Sequence, residues 1–384
     1  MLRTTIALLS VFACLAVLSA AEEVRSAALK ALLADADRAL RAGPFSVMDK
    51  SMTPPSGNKH DYMSVAPYWW PDPSKPEGLP YIRHDGERNP TRNTNETDRR
   101  ALGEMMSAVE TLALAYRETA EERYAVHAAK LLRVWFLDAA TKMNPNLDYG
   151  QAVPGVNTGR GTGIIDTAGL SDLTTAIGWL AKSKAWSRAD QQGMKRWFAE
   201  YLTWLKSSKN GLEEAAAKNN HGTWYDVQVV SFAQFTDQSA LAKRVVDDAK
   251  TRRIAAQIEP DGRQPRELAR TKAFGYSTMN LRAMFDLAAL GERVGVDLWN
   301  YQTADGRGIR KALDFLAPYV DAAKEWPYPQ LGGVTEGDRL QLATLLRRAA
   351  LAYHHATYER LLERLPSKAV EASRMELLWP RAVH

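Results

Sequence analysis

Cysteine is almost missing from this chain. Of 384 residues only Cys14 is a cysteine, and it lies in an amino-terminal apolar run. Once that run is removed no thiol remains, which excludes disulfides and a cysteine nucleophile and leaves stability to the core. Long apolar runs are scarce too. The longest, Ile6 to Leu18, is too short to span a bilayer comfortably; Arg3 precedes it, Ser19-Ala20-Ala21 closes it and Glu22-Glu23 follows. That is the plan of a secretory signal cleaved after Ala21. Residues 1–21 are therefore expected to be a signal peptide. Residues 22–384 are expected to form one mature domain, periplasmic or secreted, with no membrane anchor after cleavage.

Charge of a single sign is also missing. Lys and Arg number 50 against 45 Asp and Glu, a formal charge of +5 that falls by one when Arg3 leaves. The cations are scattered among acids and no nucleic-acid module signature occurs, so nucleic acid is not an expected partner. A mildly basic surface suits either a plain solvated exterior or a groove that draws in a polyanion. The seven histidines form no His-Glu-x-x-His, and His354-His355 falls on a late helix, so a zinc hydrolase has no support.

What is present is helical periodicity. Amphipathic stretches run over Glu23–Arg41, Asp98–Thr119, Ala120–Asp138, Asp166–Lys184, Arg188–Ser207, Gly222–Phe235, Ser239–Gln257, Ser277–Val294, Arg307–Ala323 and Arg339–Leu365, the last broken. Asp98, Ser187 and Asp237 are candidate caps, and Gly211 and Gly291 lie near ends. The helices come in pairs with short polar links. Paired helices with apolar stripes need neighbours on both sides; a bundle or solenoid supplies them, and an α/α toroid does so without free ends.

Two segments refuse the pattern. Thr53 to Thr94 holds eight prolines among Tyr62, Tyr68, Trp69, Trp70 and Tyr81. So long a stretch without regular structure is a lid, a binding loop or disorder, and its aromatic density argues against disorder. Asn144 to Gly163 is rich in glycine, which lets backbone approach a ligand closely. It is no phosphate cradle, for want of a preceding strand and a Walker lysine.

Two motifs can carry chemistry. Asn219-Asn220-His221-Gly222-Thr223-Trp224-Tyr225-Asp226 opens a helix. A helix amino end presents free N–H groups and the positive end of the dipole, to which Asn220 and His221 add donors for a carboxylate. A plain cap followed by a core tryptophan fits the same residues. Gln264 to Ser277 places Arg266, Arg270 and Lys272 near Tyr276. Cations near a phenol favour phenolate, which a tyrosine with an ordinary pKa of about 10 needs in order to act as a base. A solvated basic turn beside a core tyrosine is the alternative.

Asn-Asn-His-Gly-Thr-Trp followed by Glu-Leu-Ala-Arg and then Tyr276 resembles the alginate lyase superfamily of α/α-toroid polysaccharide lyases. Lys59 to Pro73 and Pro154 to Gly161 are similar to a glucuronan-lyase-like branch, and the resemblance covers residues 45–320. It implies an all-α fold, an (α/α) toroid or incomplete α/α barrel with long active-site loops. The implied activity is β-elimination on a β-1,4-linked uronate polysaccharide, glucuronan or mannuronate-rich alginate, giving 4,5-unsaturated ends. The partner is thus an acidic polysaccharide, and no metal or organic cofactor is needed. Asn220 and His221 would neutralise the uronate carboxylate with Arg270, and Tyr276 would handle the proton. The Arg-to-Tyr spacing is one residue shorter than in mannuronate lyases, which bears on the substrate.

These residue types suit that chemistry. The C5 proton of a uronate is hard to remove because the adjacent carboxylate is already negative, so preorganised donors must stabilise the enolate-like intermediate. In β-linked glucuronate or mannuronate the C5 hydrogen and the O4 leaving group share a face, so Tyr276 can serve both. For a guluronate-type residue His221 is the more natural base. Tyr68, Trp69, Trp70 and Trp224, with Tyr62 and Tyr225, are expected to stack on sugars, while Lys59, His60, Arg160 and Arg266 meet successive carboxylates. Two rivals remain. A glycoside hydrolase would need paired carboxylates, for which Asp61, Asp72, Asp166 and Asp226 are available; a noncatalytic glycan-binding protein would use the same aromatic and basic loops.

Overall fold

The computed structural model describes residues 22–381, so the expected signal peptide and Cys14 lie outside the described residues. Helix α1 covers residues 22–39. After it come α2 (Arg99–Thr119), α3 (Glu122–Leu132), α4 (Leu170–Leu180), α5 (Arg188–Ser207), α6 (Lys209–Ala215), α7 (Asn220–Phe235) and α8 (Ser239–Ala249). The series ends with α9 (Pro265–Leu268), α10 (Ala273–Glu292), α11 (Ile309–Leu316), α12 (Glu336–Ala352), α13 (Ala356–Leu361), α14 (Ser367–Glu371) and α15 (Met375–Leu378). Among the described residues none of these is long and apolar enough to cross a membrane.

The apolar pattern sorts the helices into two layers. Helices α2, α4, α7, α10 and α12 pack side by side in that order, and α3, α5, α8, α11 and α13 pack against them. Inner α7 buries almost every residue from Gly222 to Ala233, whereas outer α8 buries only Ala242, Val246 and Ala249. A helix apolar on every side belongs inside; one with a narrow stripe belongs outside. The carboxyl end of the chain returns to α2, where Arg117 donates to the Leu377 carbonyl (3.0 Å) and Arg374 to Thr111 Oγ1 (2.7 Å). The row thus curves into an α/α toroid.

Helix boundaries differ from expectation where local chemistry intervenes. The stretch expected over Ala120–Asp138 ends as α3 at Leu132 and widens into a π turn over Arg133–Leu137. Ser239–Gln257 does the same over Lys250–Ala255. Helix α10 begins four residues earlier than expected, which brings Tyr276 into its first turn. Ser187 caps α5 through a capping box with Asp190. Asp98 stands at the start of α2, but its carboxylate accepts from the Met63 amide (2.8 Å) and pairs with buried Lys50 (3.1 Å). Asp237 is not a cap; it takes a left-handed φ of 61° before Gln238. Gly211 lies inside α6.

The two long loops are stitched together rather than free. Strand β1 (Met63–Val65) pairs in parallel with β4 (Tyr149–Ala152), and β2 (Trp69–Trp70) pairs antiparallel with β3 (Ile82–Arg83). The glycines of the second loop serve backbone-on-backbone packing: a Cβ on Gly163 would lie 2.3 Å from the Gly150 carbonyl oxygen. The expected role of bringing backbone to a ligand is corrected accordingly.

Candidate active site

One cleft of about 630 Å³ opens where the inner helices begin. It is lined by Arg99 of α2, Asp166 ahead of α4, Asn220 and His221 of α7, Tyr276 of α10 and Asp338 of α12. Each helix start contributes unsatisfied N–H groups and a partial positive charge, so their convergence favours an anion before any side chain is counted.

The turn into α7 is locked from below. A Cβ on Gly222 would lie 2.1 Å from the Ala217 carbonyl and 2.4 Å from Arg253 Nη1, so the glycine is needed for space. Buried Arg253 occupies that space, donating to the Ala217 carbonyl (2.8 Å) and, from Nε, to Asp226 (2.7 Å). Asn220 is 1% exposed. Its backbone N–H and its Nδ2 both donate to Glu267, each at 2.7 Å, and Oδ1 has no partner. His221 faces the cleft with Nδ1 at 2.6 Å from Oε1 of Glu214, whose carboxylate is buried. That contact leaves Nε2 as the nitrogen available for chemistry.

Tyr276 sits on the opposite helix. Arg270 Nη2 donates to its hydroxyl (2.9 Å), the guanidinium carbon lies 3.9 Å from the ring centre, and the Tyr68 hydroxyl is 2.6 Å away. Arg270 is itself held by Asp85, which accepts from Nη2 (2.7 Å) and from Thr271 Oγ1 (3.0 Å). The expected acidification of the phenol by three cations is corrected. Burial, with the Tyr68 hydroxyl beside it, pushes Tyr276 well above its ordinary value, and only the Arg270 charge works the other way. Arg266 is exposed and turned out of the cleft, while Asp85 offsets Arg270. At rest Tyr276 keeps its proton.

Arginines furnish the other wall. Arg83, Arg88, Arg92, Arg99 and Arg160 all line the cleft. Buried Asp166 pairs with Arg92 and Arg99 and accepts from Ser64 (2.7 Å) and Gln151 (2.9 Å). Gln151 holds a left-handed φ of 50°, unusual outside glycine. It is clamped there, its amide donating to Ser64 Oγ (2.8 Å) and its side chain accepting from Arg160 (3.1 Å). Among the described residues Arg160, Arg88 and Lys272 have no carboxylate at ion-pair distance, so they are the cations left for a ligand.

Of the residues singled out by sequence, Tyr276, His221, Asn220, Arg270, Tyr68, Trp69 and Arg160 come together in this cleft. The others do not. Tyr62 is fully buried and donates to Asp166 (3.0 Å), one layer beneath the cleft. Trp224 is core, with Arg282 over its ring at the far side, and Tyr225 is buried with its hydroxyl on the Leu205 carbonyl (3.0 Å). Trp70 bonds the Glu87 carbonyl (3.1 Å), Lys59 reaches the Met48 carbonyl (3.3 Å) and His60 lies 2.6 Å from the Lys142 carbonyl. The sequence reading missed Glu214, Glu267, Asp85, Gln151 and the four arginines between Arg83 and Arg99. The arginines left a signal, the crowding of Arg83, Arg88 and Arg92 within the proline-rich loop.

Among the described residues Asp166 and Asp338 are the carboxylates on the cleft lining, and Asp338 is taken up in capping α12, accepting from the Thr335 N–H (2.9 Å) and Oγ1 (2.8 Å), so they do not form the free pair of a glycoside hydrolase. Asp226 is spent on Arg253, Asp61 accepts from Ser56, Asn144 and Asn146, and Asp72 lies in an exposed turn. Asp166 touches the cleft but is wrapped by donors.

Toroid, anion-favouring helix ends and a guarded tyrosine define a polysaccharide lyase. The chain belongs to the alginate lyase family, whose model matches residues 46–326. It is similar to an alginate lyase from Bacteroides ovatus at 45% identity over 92% of this chain and 93% of that one, with a TM-score of 0.88. Alginate lyase A1-III from Sphingomonas species A1 shares the fold at 16% identity over 92% and 90% of the two chains, with a TM-score of 0.59. Comparison with curated protein sequences returned no match.

Proposed function

We propose that this lyase cleaves a β-1,4-linked uronate polysaccharide, glucuronan or mannuronate-rich alginate, by β-elimination after export to the periplasm or beyond. The observation that carries this is the junction of Tyr276, Arg270, Asn220 and His221 in one cation-walled cleft at the inner-helix amino ends. A uronate whose carboxylate lies against α7 meets Asn220, His221 and the dipole end of the helix, which together absorb charge as C5 loses its proton. The C5–H electrons form the C4–C5 double bond, the C4–O4 bond breaks, and O4 leaves with a proton. Tyr276 manages both proton steps on a shared face. Arg270 can only donate to the Tyr276 oxygen and the Tyr68 hydroxyl can turn to do so, so two donors stabilise phenolate once the proton has moved. Exposed Arg88 and half-buried Arg160 suit carboxylates of neighbouring uronates.

A second assignment has its own support. Tyr276 keeps its proton at rest and His221 is backed by Glu214, an arrangement that makes His221 the base and Tyr276 the acid for a residue whose C5 hydrogen is anti to O4. Ultraviolet absorbance tests both on glucuronan, polymannuronate, polyguluronate and hyaluronan, with Tyr276→Phe alongside. A rise on glucuronan or polymannuronate that the variant abolishes supports the proposal; a rise confined to polyguluronate supports the histidine base. Reducing ends without absorbance would overturn elimination altogether.

A further inference from the structure

The amide of Asn220 is aimed by a residue that touches no substrate. Glu267 belongs to the four-residue helix α9, three positions ahead of Arg270, and is 1% exposed. One carboxylate oxygen accepts the Asn220 backbone N–H and the other its Nδ2, both at 2.7 Å. A single acid therefore fixes the main chain and the side-chain plane of the first residue of α7. The amide plane also decides where the remaining Nδ2 hydrogen points. No side chain caps this helix from Asn219, so the α9 turn performs that task from another part of the fold. The same turn carries Arg270, whose amide donates to the Glu267 carbonyl (3.1 Å). Asn220 and Arg270, two of the three groups expected at the substrate carboxylate, are thereby tied to one turn.

Resting on the reading that Asn220 meets the uronate carboxylate, we infer that Glu267 is a positioning residue that orients the Asn220 amide for catalysis. A buried carboxylate is costly, and among the described residues its one side-chain hydrogen-bond partner is the asparagine. A merely structural helix cap needs one acceptor; Glu267 uses its second oxygen on the side chain that faces the cleft. Glutamine at 267 keeps the size and one acceptor but presents an NH2 where the second oxygen was. Facing that donor, Asn220 must offer Oδ1 and rotate its own NH2 away from its present direction.

A double-mutant cycle separates the possibilities. Glu267→Gln, Asn220→Ala and the double variant are purified, their melting temperatures recorded, and kcat and KM measured with the uronate polymer that gives the absorbance rise. The expected result is a fall in kcat of roughly 30-fold for Glu267→Gln, less than the about 10²–10³-fold of deleting a transition-state donor because the amide is turned rather than removed, with KM within twofold. On the Asn220→Ala background Glu267→Gln should cost nothing more. Equal losses on both backgrounds, including loss through general destabilisation, would make Glu267 a structural cap and overturn the inference. So would a wild-type kcat in Glu267→Gln while Asn220→Ala is impaired. Full activity in Asn220→Ala would instead strike the reading on which the inference rests.

Discussion

The two ends of the inner helices carry similar charges and do opposite things with them. At the amino ends, Arg160, Arg88 and Lys272 face the cleft with no carboxylate at ion-pair distance among the described residues. Away from that cleft a second cavity of about 390 Å³, reaching the carboxyl halves of α2, α10 and α12 and the first turn of α4, is lined by Arg117, Arg282, Arg293, Arg348 and Arg374, with Glu110, Asp172 and Asp286 among them. There the guanidiniums are mostly taken: Arg282 binds Asp172 (2.6 Å), Arg348 binds Asp286 (2.7 Å) and Arg374 donates to Thr111 (2.7 Å). Cations also complement the negative end of the helix dipole, so Arg117 and Arg293 at the ends of α2 and α10 need no ligand to explain them. Arginine content therefore does not distinguish the mouths. What does is whether the protein has already answered the charge.

The sharpest way to break this contrast is to remove an arginine that is answered yet sits at the amino ends. Arg270 is paired with Asp85, but it also donates to Tyr276. Arg270→Ala removes a donor to the developing phenolate and leaves Asp85 to Arg83 and Thr271. Steady-state kinetics should show kcat/KM down by about 10²–10³-fold, the cost of a lost transition-state donor. A loss no larger than a few-fold would mean that the pairing with Asp85 had already cancelled Arg270, as the pairs at the far mouth are cancelled.

A smaller effect is expected one step behind the reacting groups. Glu214→Gln keeps an acceptor for His221 Nδ1 but removes the negative charge that stabilises imidazolium. A fall in kcat of about tenfold, within the range of general acid–base contributions, should appear with substrate KM little changed. Unchanged kcat would confine His221 to a neutral hydrogen-bonding role.

These two variants also mark what was legible in the sequence. The α/α layering could be read because apolar stripes recur at helical spacing, and Asn220, His221, Arg270 and Tyr276 because their motifs combine donors, a helix start and a phenol. Trp224 and Tyr225 were misplaced for a geometric reason: they follow His221 by three and four residues, so they lie one turn, about 5 Å, further along α7, where this inner helix is buried on every side. Tyr62 failed similarly, its hydroxyl turned down to Asp166. Glu214 was invisible and Glu267, though part of Glu-Leu-Ala-Arg, was given no role, because an acid on a short helix has the same sequence appearance whether it faces solvent or lies beneath a site.

The far mouth supplies the smallest effect on catalysis and a distinct one on stability. Glu110 has no ion-pair partner among the described residues; burial and the charge of Asp172 push its carboxyl up to about 8, against Arg282 and Arg374. Unfolded, it returns to the ordinary glutamate value near 4.5. Between those pH values the folded chain holds a proton that the unfolded chain has released, so stability falls as pH rises through this window. Glutamine carries no such proton. Glu110→Gln should therefore gain melting temperature relative to wild type as pH goes from 5 to 8, while kcat stays within twofold. A flat difference in thermal melts across that range would show Glu110 ionised in the folded state and answered by its neighbouring arginines. A large loss of turnover would instead show that the two mouths communicate, and the contrast drawn from their ion pairs would fail.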